Sequence, residues 1–449
     1  MFKKFSNACV NLVQKYLPDA FIFAIFLTFL TWILGMIFTQ QGPIDMIVHW
    51  GSGFWKLLAF SMQMALVLVT GHALASSPPI KKFLISLTKF IKTPTQAILA
   101  VSFVSAIACW LNWGFGLVIG ALYAKEIARK VKDVDYRLLI ASAYSGFLVW
   151  HGGISGSIPL TLATSTANLA EMTSGAISEA IPVSNTIFSP LNIFISVSLI
   201  LILPFINRAM HPDADKVVSV DSDLLKENEE IEINNKDMTP ADKIENSKII
   251  SIILGLFGII YIIYHFYTNG FDLNLNIVNF IFLTVGIVFH QTPKRYINAV
   301  KEAVKGASGI ILQFPFYAGI MGMMVGANSA GVSLAGLISH WFVSISNPTT
   351  FPLFTFLSAG IVNFFVPSGG GQWAVQAPIM MPASIELGVS TAKTGLAIAW
   401  GDAWTNMIQP FWALPALGIA GLGARDIMGF CIVDLLCSGL IITVSMLIF

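Results

Sequence analysis

Two sets of small and polar residues interrupt apolar stretches at matching places in the two halves of this chain. Asn112, Trp113 and Gly114 sit in WLNWGFG, and Ser368, Gly369, Gly370 and Gln372 sit in FVPSGGGQW. About 35 residues after each comes a second polar break. WHGGISGSIPLTLAT, from Trp150, carries His151 and Ser155. GDAWTNMIQPFW, from Gly401, carries Asp402, Trp404, Thr405, Asn406 and Gln409. A helix that restarts after such a break begins with N–H groups that lack intrahelical partners, at the positive end of its dipole. Restarts near Phe115 and Gln372 would aim such groups at an anion without any Lys or Arg, and no Lys or Arg lies deep in an apolar stretch here. The N–H groups, with Asn112, Ser368 and Thr405, suit a small carboxylate. The competing reading is that the glycines only let helices pack closely.

Ionisable groups inside apolar spans are functional candidates. Asp402, Thr405, Asn406 and Gln409 share a helix face by their spacing, just before Pro410. His151 stands at the matching break of the first half, with Ser155 one turn on. Asp402, with His151 and Gln409, is therefore the candidate coupling group. A buried carboxylate or imidazole can carry a proton. Asn112, Asn406, hydroxyls and freed carbonyls could instead ligate Na⁺. Trp110, Trp113, Trp150, Trp373, Trp404 and Trp412 cluster at the breaks and could wall an apolar pocket; taken singly, each Trp suits packing or a membrane interface.

The elements that must position these groups are transmembrane helices. Of 449 residues 55% are hydrophobic and 11% charged, with mean hydropathy +0.76. Apolar runs of about 20 residues recur, each long enough to cross a bilayer. The expected class is an all-α polytopic membrane protein. Segment 1–19 reads as a cytoplasmic amphipathic segment, and 208–248 as a hydrophilic cytoplasmic loop. They frame a first transmembrane repeat, 20–207. A linking helix, 249–267, precedes a second repeat, 276–449. IFLTFLTWILG from Ile25 matches IFLTVGIVFH from Ile281, an offset of 256. Gly71 with Gly326, Gly116 with Gly371, and Trp150 with Trp404 keep offsets of 254 or 255. Lys and Arg in short loops place the N-terminus in the cytoplasm and the C-terminus in the periplasm. On that basis 94–124 is a re-entrant hairpin from the cytoplasmic face and 351–385 one from the outer face, with arms of about 15 residues. The repeats are then inverted, and their tips approach near the midplane.

A net charge of +1 gives no case for nucleic acid. The four cysteines lack zinc-ligand or CxxC spacing. There is no Walker A, GxSxG or HExxH motif, so the reading is not an enzyme and calls for no cofactor beyond a coupling ion, H⁺ or Na⁺.

WLNWGFGLVIGALYAKEIARKV, WHGGISGSIPLTLAT, VPSGGGQWAVQAP and GDAWTNMIQPFWALPALGIAG together resemble the bacterial short-chain fatty acid transporter family. The resemblance runs from LPDAFIFA to the last span. It implies a secondary carrier of the inner membrane, within a wider ion-transporter superfamily built on inverted repeats and opposed hairpins. It further implies a short-chain monocarboxylate such as butyrate or acetoacetate, cation-coupled symport by alternating access, and a homodimer as in that superfamily. The tips NWGFG and PSGGG depart from the Ser-Asn-Thr tips of the superfamily's dicarboxylate carriers, which leaves the coupling ion open. A Na⁺/H⁺ antiporter, or a carrier of dicarboxylates or amino-acid conjugates, on the same architecture is the alternative.

Overall fold

The structure is a computed structural model that describes every residue except 1–19, 166–167, 214, 216, 221–237, 364–365 and 410. The N-terminal segment, the centre of the hydrophilic loop and Pro410 thus lie outside the described residues.

Among the described residues the chain is helical, without strands. The first half contains α1 (Ala20–Thr39), α2 (Pro43–Gly53), α3 (Leu58–Ala75), α4 (Pro78–Leu87), α5 (Pro94–Leu111) and α6 (Trp113–Ala128). A broken helix follows: α7 (Tyr136–Ser145), a 3-10 segment (Gly146–Gly152) and α8 (Ser157–Ala163). The short α9 (Leu169–Met172) and then α10 (Pro190–Ala209) close this half. α11 (Pro240–Glu245) and α12 (Lys248–Asn269) lead to the second. It contains α13 (Leu275–His290), α14 (Pro293–Val304), α15 (Ser308–Val325), α16 (Leu334–Ile345), α17 (Phe351–Asn363) and α18 (Gly369–Glu386). Another broken helix, α19 (Thr391–Thr405) and α20 (Ala413–Ala420), precedes α21 (Ala424–Ile448). The element order therefore recurs: long, short, long, short, a close pair, a broken helix, long.

Seven helical stretches among the described residues are long and apolar enough to cross a membrane. Their outward faces are greasy. On α12 only Ser251, Gly255 and Gly258 are buried, while Phe257 is 67% exposed and Ile260 62%. Such a surface would drive aggregation in water but is matched to lipid tails.

Two short segments between the long helices are themselves helical. The stretch after Gln40 forms α2, started by Pro43 in its first turn with Asp45 accepting from the Gly42 N–H. The stretch Ser333–Thr349 holds α16, capped by Ser333. At 11 and 12 residues both fall below the length that marks a span in sequence. The arm-length argument also shifts. α5 and α18 have 18 residues each, about 27 Å of helix, and α5 counts among the stretches long enough to cross.

The close pairs are antiparallel, as their contacts show. A Cβ on Gly116 would fall 2.3 Å from the Cys109 nitrogen, and one on Gly120 2.5 Å from Ser105 Oγ. As α6 is followed forward, its partners run backward along α5. In the second pair Gln372 Nε2 donates to the Ala359 carbonyl at 2.9 Å and Gln376 Nε2 to Ser358 Oγ at 3.3 Å. The glycines are needed here for approach: a methyl at Gly116 meets backbone, which cannot swing aside.

Candidate functional site

One extended residue precedes the second helix of each close pair. Asn112 has φ −155° and ψ 124°, and Ser368 has φ −155° and ψ 118°. These two residues share backbone geometry, but the helices that follow differ in what satisfies their first turns. At α6, Asn112 Oδ1 accepts the Phe115 N–H at 2.9 Å. Ser155 Oγ accepts the Trp113 N–H at 3.0 Å. The Trp110 carbonyl accepts the Ile154 N–H at 2.7 Å, tying this turn to the break in the first broken helix. The chain itself has thus capped the α6 N-terminus. At α18 no side chain among the described residues caps the first turn, and Ser368 makes no cap bond. The N–H groups of Gly369, Gly370 and Gly371 are orphans by position.

Side chains from several helices enclose that open turn. A Cβ on Gly369 would lie 2.6 Å from His151 Cε1 and 2.9 Å from both His151 Nε2 and Trp150 Cη2. One on Gly370 would meet the Phe60 and Phe314 rings, and one on Gly371 the Tyr317 ring. The glycine run lets the α18 N-terminus press into an aromatic wall. Trp150 stacks on His151 with ring centroids 4.0 Å apart and on Phe147 at 5.3 Å. Trp113 meets Trp150 edge-on at 5.8 Å and Trp412 at 5.0 Å.

The indole N–H groups of Trp113, Trp150 and Trp412 and the Asn112 Nδ2 are buried without acceptors among the described residues. An orphaned buried donor costs roughly 1–3 kcal/mol. This end of the site therefore has a surplus of donors and, among the residues named, no Lys or Arg.

The imidazole bridges the two broken helices. His151 Nε2 accepts the Ile158 N–H at 3.1 Å, at the start of α8. Its proton must then sit on Nδ1, which donates to Asp402 Oδ2 at 3.0 Å. His151 is 0% exposed and Asp402 1%. Asp402 Oδ1 is buried and finds no partner among the described residues.

Beside this pair runs an amide network. Asn363 Nδ2, at the end of α17, lies 2.9 Å from the Asp402 carbonyl, 2.9 Å from Thr405 Oγ1 and 3.0 Å from Asn406 Oδ1. Thr405 Oγ1 donates to the Gly360 carbonyl at 2.9 Å. Gln409 Nε2 donates to Asn406 Oδ1 at 2.9 Å and Gln409 Oε1 accepts the Phe411 N–H. The Tyr144 hydroxyl donates to the Asn406 carbonyl at 2.8 Å.

The structure thus gathers Asn112, Trp113, Ser155, His151, Gly369, Gly370 and Asp402 around the turns. Other candidates have different work. α19 ends at Thr405, so Asn406 and Gln409 lie in the turn beyond it, and the single helix face expected for Asp402, Thr405, Asn406 and Gln409 divides. The Asp402 side chain goes to His151, and only its carbonyl joins the other three. Gly114 packs against the Leu68 backbone of α3. Gln372 is held by α17 through Ala359 and by Gln376. Trp404 donates to the Leu435 carbonyl at 2.7 Å and packs against Phe356, and Trp110 meets Phe188. Neither joins the Trp113–Trp150–Trp412 cluster. Sequence reasoning missed Asn363; its signal was a lone amide inside an apolar run, five residues before Ser368.

A profile of the short chain fatty acid transporter family matches residues 1–449. The chain belongs to that family. A protein of Escherichia coli (strain K12), provisionally named a short-chain fatty acid transporter, is 48% identical over 450 residues, covering 100% of both chains. A Haemophilus influenzae protein (strain ATCC 51907 / DSM 11121 / KW20 / Rd) with the same provisional name is 47% identical, covering 97% of each chain. Among solved structures the transporter resembles the Alcanivorax borkumensis YdaH transporter, described as having an unusual topology. The TM-score is 0.58 at 16% identity, over 96% of this chain and 97% of that one. That likeness concerns the fold alone. The transporter is a multi-pass, all-α membrane protein.

Proposed function

We propose that this transporter takes up short-chain monocarboxylates, such as butyrate or acetoacetate, across the bacterial inner membrane by cation-coupled symport with alternating access. The observation that carries the reading is the uncapped first turn of α18, pressed against His151 and Trp150 with orphaned indole donors nearby. A carboxylate accepts from backbone N–H groups at a helix start, and the apolar rings suit a short alkyl tail. Ser368 and the N–H groups of Gly369 and Gly370 hold the carboxylate. Asp402, positioned by His151, serves the coupling ion. Asn363, Thr405, Asn406 and Gln409 hold the broken second helix in register.

Purified protein in liposomes tests this with labelled butyrate under a proton gradient or a sodium gradient imposed separately. Accumulation under one gradient supports symport. Cation exchange without butyrate uptake would replace it with an antiporter. Ser368→Ala should raise KM for butyrate by roughly threefold to tenfold, the worth of about one hydrogen bond; unchanged kinetics would remove Ser368 from the site.

We also propose that the two repeats are inverted, the N-terminus cytoplasmic and the C-terminus periplasmic, with the close pairs entering from opposite faces. The Lys and Arg bias of the short loops supports this. In a cysteine-free background, Asn347→Cys should react with an impermeant maleimide on intact cells and Lys132→Cys only after lysis. The reverse pattern would overturn the orientation.

A further inference from the structure

Asp402 has two inequivalent oxygens. Oδ2 is held by His151 Nδ1–H at 3.0 Å. Oδ1 is buried with no partner among the described residues. The imidazole cannot take a second proton without expelling the Ile158 N–H from Nε2, so an arriving proton has one place to go within the pair. The same imidazole has its Nε2 edge against Gly369, in the open first turn of α18. The imidazole therefore lies between the Asp402 carboxyl and the first turn of α18 assigned to the substrate carboxylate. Both sites are buried, where like charges repel far more strongly than in water.

We propose that Asp402 Oδ1 is the proton-binding site of this transporter and that its protonation gates carboxylate binding: the proton binds first, and the anion enters only next to the neutral acid. This rests on the carboxylate reading above and makes H⁺ the coupling ion. The step is a simple protonation. The proton comes from the outer aqueous phase, forms the O–H bond at Oδ1, and is released to the inner phase after the anion leaves. Of the other titratable groups around the pair, Tyr144 from α7 lies within electrostatic range of Asp402, of Cys109 on α5 and of Cys431 on α21. Asp434 adjoins Cys431 on α21, and Tyr317 of α15 lies beyond Gly371. The Tyr144 hydrogen is committed to the Asn406 carbonyl. Neither α8 nor α17 carries a titratable residue, and the only one on α18 is Glu386, its last residue.

Two measurements on the purified full chain test this. The first is acid-minus-base infrared difference spectroscopy without substrate, which reads the C=O stretch of a protonated buried carboxyl. The second is calorimetric binding of butyrate across pH, in sodium and in choline chloride. The wild type is expected to show a carboxyl band that disappears in Asp402→Asn. Its butyrate Kd should be flat at acid pH and weaken about tenfold per unit above the Asp402 transition, because one proton is linked to one anion. Sodium should change nothing. Asp402→Asn, a neutral mimic, should bind butyrate with the same Kd at every pH. A band that survives Asp402→Asn, a pH slope that survives it, or affinity that follows sodium at fixed pH overturns the proposal. An Asp402 band together with no butyrate binding at any pH would instead overturn the carboxylate reading, and the gating with it, while the proton site stands.

Discussion

Gly369→Ala is expected to raise KM for butyrate on the order of tenfold to a hundredfold in a protein that still folds. The new methyl would lie 2.6 Å from His151 Cε1 and 2.9 Å from Trp150 Cη2. His151 cannot yield, because both ring nitrogens are bound and its face is stacked 4.0 Å from Trp150. The start of α18 must retreat instead, and its N–H groups move off the carboxylate. Overpacking of this kind costs about 1–3 kcal/mol, and each 1.4 kcal/mol is a factor of about ten in affinity. Gly418→Ala is the control. Its methyl would meet nothing within 4 Å, and uptake should match the wild type. Uptake by Gly369→Ala at the wild-type KM would separate the α18 start from the substrate.

The frame of this molecule is legible in its sequence because helix ends are local events. Thr93, Asn112 and Ser333 each accept a hydrogen bond from the first turn that follows, and the glycine-rich breaks coincide with interruptions of helix. Short helices were harder. α2 and α16, at 11 and 12 residues, are too short to stand out as spans. The site was legible as a set of breaks but not as a set of bonds. Spacing shows that Asp402, Thr405 and Asn406 lie near one another, yet not that Asp402 turns its carboxyl to His151, 251 residues away. Nor does composition separate Trp412, which joins Trp113, from Trp404, which turns to the Leu435 carbonyl. The two turns read as equivalent in sequence. Their difference arises because Ser155 reaches the Trp113 N–H, a contact between segments 42 residues apart.

The His151–Asp402 pair itself should appear in stability. His151→Ala leaves the Ile158 N–H without its acceptor and both Asp402 oxygens bare in a site that is 0% and 1% exposed. Breaking a buried pair while leaving one charge behind costs about 3–5 kcal/mol. Asp402→Asn is milder, because the amide oxygen can still accept from Nδ1–H. In the Asp402→Asn background, His151→Ala strands only neutral groups, the Ile158 N–H and the amide oxygen, at roughly 1–3 kcal/mol. The four proteins therefore form a cycle with a coupling of about 1–3 kcal/mol at alkaline pH, where Asp402 carries its charge. At acid pH the carboxyl is neutral like the amide, no charge is left bare in either background, and the coupling should shrink toward zero. Denaturant unfolding in mixed micelles at the two pH values measures both. A coupling near zero at both would mean that the imidazole and the carboxyl do not act as a unit. A coupling that does not change with pH would place the proton elsewhere than Asp402.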